Sequence, residues 1–162
     1  MADFTVVGAR GKIPDPQAFI ERLQNMKGGE VLAMDAGMVC GREHVDSAVE
    51  HALRSFKRGS NSANNIMMET MLFASGERQI SKAQEKMGVK AGTERVALVL
   101  FGSEVATVLR ICDLERDDTV LQASERKAIS YGISRKELDT VPSEKYPDLV
   151  LEKVAFVEIL KR

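Results

Sequence analysis

A continuous apolar run, RVALVLFG at residues 95–102, places the strongest constraint on the fold of this chain. Its length suits a β-strand, and it lacks the polar alternation of a strand with one face in water. The run therefore predicts a strand in the middle of a sheet whose two faces are both covered. The rest of the chain must supply neighbouring strands and the helices that cover them.

Shorter segments predict the other strands. Residues 3–8, DFTVVG, are β-branched and aromatic enough for a strand that ends at the glycines following it, and 30–36, EVLAMDA, are a second apolar strand. The acidic segment LERDDTVLQ, 114–122, predicts a loop with one edge strand. The fold class that we expect is α/β (α+β): a small mixed, largely antiparallel sheet covered by several helices, in a single domain spanning 1–162.

Helical spacing of apolar residues recurs between these strands. The clearest helix is 42–58, whose acidic residues lie early and whose basic residues lie late, as the helix macrodipole favours. Residues 66–74 are apolar nearly all round and predict a central helix. The last helix has a wide apolar stripe, which we expect to pack on the sheet and to meet a partner. The further predicted helices lie between Pro16 and Gly28, at 78–87, 103–113 and 124–131, after a capping box at Ser134 and Glu137, and at 149–162.

Composition indicates an ordinary globular protein. With 162 residues, 44% apolar and 29% charged, the chain can bury a substantial core. No apolar run approaches the roughly 20 residues of a membrane-spanning helix, and the N-terminal residues lack a secretion signal, so we expect a cytoplasmic protein without a membrane partner. Cys40 and Cys112 stand far apart in the sequence, which predicts two reduced thiols.

Charge is segregated along the chain. The formal net charge is −1, which implies no attraction of the whole molecule for nucleic acid. Residues 54–90, however, carry seven Lys and Arg against three Glu, whereas 94–125 carry three cations against seven acidic residues. A basic segment can steer a polyanion to one side of the molecule, although solvated helix faces also produce such counts by chance.

Motifs for catalysis or metal binding are weak. GARGK at 8–12 lacks the spacing and the Ser/Thr of a phosphate-binding P-loop, and it predicts a plain turn. His44 and His51 lie seven residues apart on one predicted helix, about 10 Å, too far for the one-turn pairing that binds a metal. Without a nucleophile elbow or a metal set, we expect a protein that is not an enzyme and that holds no metal and no cofactor.

The stretch SGERQI, 75–80, has groups that suit the binding of a phosphate and a base. A helix N-terminus presents free N–H groups, and Arg78 adds a planar guanidinium fork suited to phosphate. Gln79 offers a donor and an acceptor to a base edge, and Ile80 offers an apolar floor. An ordinary helix start with a solvated arginine explains the same residues, so the spacing alone does not decide between the two interpretations.

The chain resembles the small tRNA-binding regulatory subunit of the archaeal and eukaryotic KEOPS complex, the family of the human PRPK-binding protein. The segments that carry this resemblance are SGERQISKA at 75–83, residues 31–76, and LVLEKVAFVEIL at 149–160. The resemblance covers most of the chain and is weakest over 103–145, where only the layout matches. It implies a non-catalytic subunit that binds the kinase subunit directly and other KEOPS subunits indirectly, supports ATPase activity, and recruits tRNA through its 3′ CCA end. The complex installs threonylcarbamoyladenosine next to the anticodon.

The same resemblance implies which residues bind. Arg78 and Ile80 match the family's pocket for the tRNA end, with Ser75, Gly76 and Gln79 in the same stretch. Our own electrostatic additions to this site are Lys57, Arg58 and Lys82. The kinase contact in the family is helical and partly apolar, so the Met-rich helix and the C-terminal helix are its candidates.

Two other classes of protein stay open from the sequence. The first is a small α/β enzyme or ligand-binding protein with a pocket near 75–80. The second is a structural adaptor without RNA contact. Scarce aromatic side chains, six Phe, two Tyr and no Trp, leave few stacking platforms for bases, which predicts modest affinity for RNA alone.

Overall fold

The computed structural model describes residues 3–161, and its fold is α+β with a four-stranded antiparallel sheet. The strands follow the order β2-β3-β1-β4. Their bounds are β1 (Thr5–Arg10), β2 (Glu30–Asp35), β3 (Arg95–Phe101) and β4 (Glu115–Arg116). Each pair of neighbouring strands among the described residues is antiparallel, so the largely antiparallel sheet is confirmed.

Eight α-helices fall within residues 3–161: α1 (Pro16–Gln24), α2 (Arg42–Arg58), α3 (Ile66–Ser75), α4 (Ile80–Met87), α5 (Val105–Cys112), α6 (Glu125–Tyr131), α7 (Arg135–Leu138) and α8 (Tyr146–Leu160). None of these helices is long and apolar enough to cross a membrane. Contacts divide the chain into two compact units, each formed by separate segments of sequence. The single domain expected over 1–162 stays a prediction.

The first unit contains the sheet with α1 and α5. As predicted, β3 lies inside the sheet, with Leu98 opposite Val7 of β1 and Leu100 opposite Val31 of β2. The interior of β3 is buried throughout. The core of this unit joins buried side chains from three strands to those of the two helices: Val7, Ala9, Val31, Ala33, Val96, Leu98, Leu100, Phe19, Leu23, Val108 and Cys112.

Strand β1 continues through Gly8 to Arg10, so both its predicted end at Gly8 and the first half of the turn predicted for 8–12 are wrong. The strand continues because the backbone of a distant residue, Asp117, pairs with Gly8. The N–H of Asp117 donates to the Gly8 carbonyl at 2.8 Å, and a Cβ at Gly8 would lie 2.5 Å from the carbonyl oxygen of Asp117. Glycine at this position permits a close approach of two backbones.

The second unit consists of helices α2, α3, α4, α6, α7 and α8. Helix α2 has the predicted bounds, and α3 is its centre, because every residue from Glu69 to Ser75 is buried. The free thiol of Cys40 is buried in this unit and that of Cys112 in the first, which agrees with the prediction of two reduced cysteines.

Helix α8 corrects the sequence prediction in three ways. It packs mainly against other helices, α2, α3 and α6, whereas the sequence predicted packing on the sheet. Its buried residues are Leu149, Val150, Val154 and Val157, while Ala155 and Ile159 of the predicted stripe are exposed. Helix α8 begins at Tyr146 and ends at Leu160, whereas the sequence predicted 149–162; Lys161 follows the helix, and Arg162 lies outside the described residues. Helix α8 carries apolar residues on all its faces, so the periodicity of its sequence could not identify the face that is buried.

Candidate nucleic-acid interface

The candidate site is the turn between α3 and α4, and its shape begins with Gly76. Gly76 ends α3 in the left-handed conformation, with φ of 73°, and its N–H donates to the Phe73 carbonyl. A Cβ here would lie 2.9 Å from the Tyr131 hydroxyl oxygen. Backbone conformation and close packing therefore both require glycine at this position.

Two side chains hold the carbonyl of Ala74 at the end of α3. The Tyr131 hydroxyl donates to it at 2.8 Å, and His44 Nε2 lies 2.7 Å away. The backbone N–H of Cys40 donates to His44 Nδ1 at 3.0 Å, so Nδ1 carries no proton and Nε2 is the nitrogen that donates to Ala74. Burial lowers the pKa of His44 to about 4, so the ring is neutral at pH 7.

Ser75 is buried, and its hydroxyl and carbonyl groups form hydrogen bonds at the C-terminal end of α3. Its hydroxyl donates to the Leu72 carbonyl at 2.9 Å and accepts from the N–H of Glu77 at 3.1 Å. Its carbonyl accepts from the Lys86 ammonium at 2.8 Å, and this ammonium also lies over the ring of Tyr131, 3.7 Å from its centre. Burial lowers the pKa of Lys86. The side chain of Ser75 therefore shapes the turn from inside.

The three residues that follow Glu77 in the turn have side chains that face solvent. Arg78, Gln79 and Ile80 are exposed, with 37% of Ile80 accessible to solvent. Helix α4 begins at Ile80, two residues later than predicted, because Gln79 supplies the carbonyl that accepts the first helical bond, from Ala83 N–H at 3.0 Å. Arg78 therefore lies in the turn that precedes the helix.

Lys82 follows on the first turn of α4 and is also exposed. Within residues 3–161, no hydrogen bond or ion pair joins the side chain of Arg78 or of Lys82 to another residue. Two cations on one short segment are thus available to an anion from solvent.

Lys57 and Arg58 are exposed at the last turn of α2 and do not join this turn. His44, which contacts Ala74 beside the turn, lies near the start of the same helix. At 1.5 Å per residue, the helix separates its Lys57 end from His44 by roughly 20 Å. Arg78, Gln79, Ile80 and Lys82 therefore share one short exposed segment, and Lys57 and Arg58 lie at a distance from it.

Sequence reasoning missed the residues that support the turn. Tyr131 and His44 reach it from α6 and α2, and Lys153 of α8 lies so close that its Cβ would be 3.6 Å from a Cβ at Gly76. Lys86 belongs to the basic segment 54–90, which is the one sequence feature that points to it. That feature does not indicate that its ammonium donates to the Ser75 carbonyl at the end of α3.

Other kinds of site find little support in the described part of the chain. No group of three or more His, Cys, Asp or Glu side chains among residues 3–161 is arranged to hold a metal ion. A groove of about 390 Å³ is lined by 123–125, 143–144 and 146–147, none of which belongs to the turn at 75–80. The exposed turn, whose two cations have no hydrogen-bond or ion-pair partner within residues 3–161, stays the candidate site.

Comparison with known proteins agrees with a regulatory binding protein. The regulatory protein Cgi121 of Methanocaldococcus jannaschii is 31% identical over 131 residues, which cover 79% of this chain and 83% of that protein. The sequence model of the family described as kinase binding protein CGI-121 matches residues 13–156. The chain belongs to the CGI-121 family, and the membership predicted from its sequence is confirmed.

Proposed function

We propose that this chain is a non-catalytic KEOPS subunit with two tasks. It binds and activates the kinase/ATPase subunit of the complex, and it recruits tRNA through the 3′ CCA end for threonylcarbamoyladenosine modification. Membership of a family described as kinase binding proteins supports the first task. The observation that carries the second is the exposed turn at Arg78–Ile80, whose guanidinium has no partner within residues 3–161.

The side chains of the turn have the chemistry that a single-stranded RNA end requires. Arg78 can hold a phosphate through two parallel N–H donors, and Lys82 can hold a second one as a point charge. Ile80 offers an apolar surface to a base, and Gln79 can donate to and accept from a base edge. Ser75 and Gly76 contribute by setting the shape of the turn. Lys57 and Arg58, roughly 20 Å away along α2, would meet phosphates further from the end.

The test is a titration of the purified protein with tRNA that carries or lacks its CCA end. We expect the wild-type protein to prefer the tRNA with the CCA end, and Arg78→Glu and Ile80→Glu to remove that preference. The salt dependence of binding should also weaken in Arg78→Glu, by about 0.7 in log–log slope for each lost phosphate contact. Circular dichroism and melting curves check that each variant folds.

Arg110→Glu and Ile111→Glu are the matched controls. These neighbours on α5 are an exposed arginine and an isoleucine that is 42% exposed, and they belong to the acidic segment of the chain. Equal binding of both tRNAs, or a loss in the control variants as large as in the turn variants, contradicts end recognition. A small metabolite that raises the melting temperature, without any response to RNA or kinase, would indicate the ligand-binding alternative.

The kinase task calls for an exposed helical surface, and α8 offers one. Of the two helices predicted for this contact, α3 is buried from Glu69 to Ser75. Helix α8 exposes 50% of Phe156 and 59% of Ile159, three residues apart and hence on one face. Large apolar side chains in such positions favour a protein partner. Co-purification of the kinase subunit with the chain, with and without tRNA, separates an adaptor from an RNA recruiter.

A further inference from the structure

Helix α8 passes directly beside the turn that we assign to RNA. A Cβ at Gly76 would lie 3.6 Å from Lys153 Cβ and 3.7 Å from the Lys153 carbonyl oxygen. The Lys153 side chain leaves α8 at this point with 46% of its surface exposed, and its ammonium lies 3.2 Å from the carboxylate of Glu137. A cation from a distant part of the sequence thus borders the candidate site.

Three cations from three elements belong to residues near Gly76, beside the carboxylate of Glu77. They are Arg78 of the turn, Lys86 of α4, which binds the Ser75 carbonyl, and Lys153 of α8. Burial is the main cause of the lowered pKa of Lys86; the Glu77 carboxylate opposes this effect, and the charge of Lys153 lowers the pKa further, which places the two ammonium groups near each other. An anion beside them would add to the compensation that Glu77 already provides.

The partner that Lys153 has in the free protein is easily exchanged. Both side chains of the Lys153–Glu137 pair are partly exposed, and such pairs contribute little net stability in water. Glu137 has a separate task, because it completes the capping box of α7 with Ser134. Release of the lysine leaves the carboxylate bonded to the backbone N–H and the hydroxyl of Ser134.

We propose that Lys153 is an RNA-binding residue of this site, whose ammonium exchanges the Glu137 carboxylate for a backbone phosphate of the strand that ends at Arg78 and Ile80. The inference rests on the proposed recognition of the tRNA end. It adds a cation from α8 to a site that the sequence placed wholly on the turn and on neighbouring basic residues.

Two substitutions with opposite expected effects test the proposal. Lys153→Gln removes one phosphate contact and should weaken binding of tRNA that carries its CCA end by about fivefold at about 0.1 M salt, with a log–log slope smaller by about 0.7. Glu137→Gln frees the lysine and should strengthen binding. Glutamine serves at this position of a capping box as glutamate does, so α7 keeps its N-terminal cap.

The pair Lys145–Asp148, at the start of the same helix, provides matched controls in Lys145→Gln and Asp148→Asn. These variants change net charge equally, so effects of overall charge appear in them as well. If Lys153→Gln and Glu137→Gln both weaken binding, in step with a fall in melting temperature, the pair is only structural and the proposal is overturned.

The outcomes also separate this proposal from the one on which it rests. Unchanged binding by Lys153→Gln, while Arg78→Glu loses the preference for the CCA end, overturns the role of Lys153 and leaves end recognition standing. Equal binding of tRNA with and without CCA by the wild-type protein overturns both.

Discussion

The ammonium of Lys161 lies against the carboxylate of Glu69 in an ion pair that is closed to solvent, with 6% of the lysine side chain exposed and none of the glutamate. The Glu69 carboxylate also accepts the N–H groups of Ser62 at 3.0 Å and Ala63 at 2.9 Å, and Lys161 donates to the Ser55 hydroxyl at 3.1 Å. The pair therefore ties the residue that follows α8 to the loop between α2 and α3.

Lys161→Met should lower the free energy of unfolding by about 3–5 kcal/mol, because it leaves the Glu69 carboxylate buried without a counter-charge. Adding Glu69→Gln to this variant should recover most of the loss, since an amide oxygen still accepts from Ser62 and Ala63. Urea denaturation of both variants measures the difference. A double variant as unstable as Lys161→Met alone would show that the charge is not the source of the loss.

Acidification should destabilise the fold through His44. The folded protein holds the pKa of His44 at about 4, whereas the unfolded chain binds a proton near pH 6.5. The unfolded state therefore binds more protons in this window, and the free energy of unfolding falls by up to about 3 kcal/mol as the pH decreases from about 6.5 to about 4.

His44→Gln should flatten that pH dependence, which urea denaturation at about pH 7 and about pH 5 will measure. His51, the other histidine of the chain, also has a lowered pKa because of burial, so His51→Gln separates its share, which has the same sign. An imidazole pKa of His44 near 6.5 in the folded protein, measured by NMR titration, would contradict the prediction.

Gly76→Ala should cost more stability than Gly59→Ala. Both glycines end a helix in the left-handed conformation, with φ of 73° and 70°, but a Cβ at Gly59 meets nothing within 4 Å. The strain of alanine at such φ is about 1 kcal/mol at either site. At Gly76 the contact with the Tyr131 hydroxyl adds to it.

Chemical denaturation of the two alanine variants gives the comparison, and Tyr131→Phe in the Gly76→Ala background should recover part of the excess because it removes the hydroxyl. Equal losses at Gly76 and Gly59 would mean that the close approach of Tyr131 has no energetic effect.

Phe156→Glu and Ile159→Glu should reduce kinase binding by at least about tenfold, since each places a charge in the centre of the proposed apolar contact. Surface plasmon resonance with the kinase subunit measures the loss, and tRNA binding to Ile159→Glu, six residues from Lys153, should stay unchanged. Ile129→Glu on α6 is the control, because this isoleucine is 47% exposed. A loss confined to Ile129→Glu would move the contact from α8 to α6.

Those parts of the fold with local signals at both ends could be predicted from the sequence. Helix α2 shows why, since glycines stand at both of its ends and its charges follow the macrodipole. The capping box at Ser134 and Glu137 is likewise a local bond, and it is present. The continuous apolar run of β3 identified an inner strand, because an apolar segment of strand length is typical of a strand whose two faces are covered.

Long-range contacts decided the rest. The apolar sequence around Glu69 gives no sign of a buried carboxylate, because its partner Lys161 lies 92 residues away. The turn at Arg78–Ile80 could be proposed from its own residues, whereas its support could not, since Tyr131 bonds the Ala74 carbonyl across 57 residues. The contact between Lys153 and Gly76 likewise depends on the packing of α8 beside the turn, which no local sequence pattern indicates.

The capped end of α3 bears on the thermodynamics of RNA binding. The carbonyls of Leu72, Phe73, Ala74 and Ser75 each have a donor, from Ser75, Gly76, Tyr131 with His44, and Lys86. The turn is therefore preorganised, and a ligand does not have to order its backbone. In the proposed complex, the conformational entropy lost on association is then mainly that of the flexible RNA end and of the exposed Arg78 and Lys82 side chains.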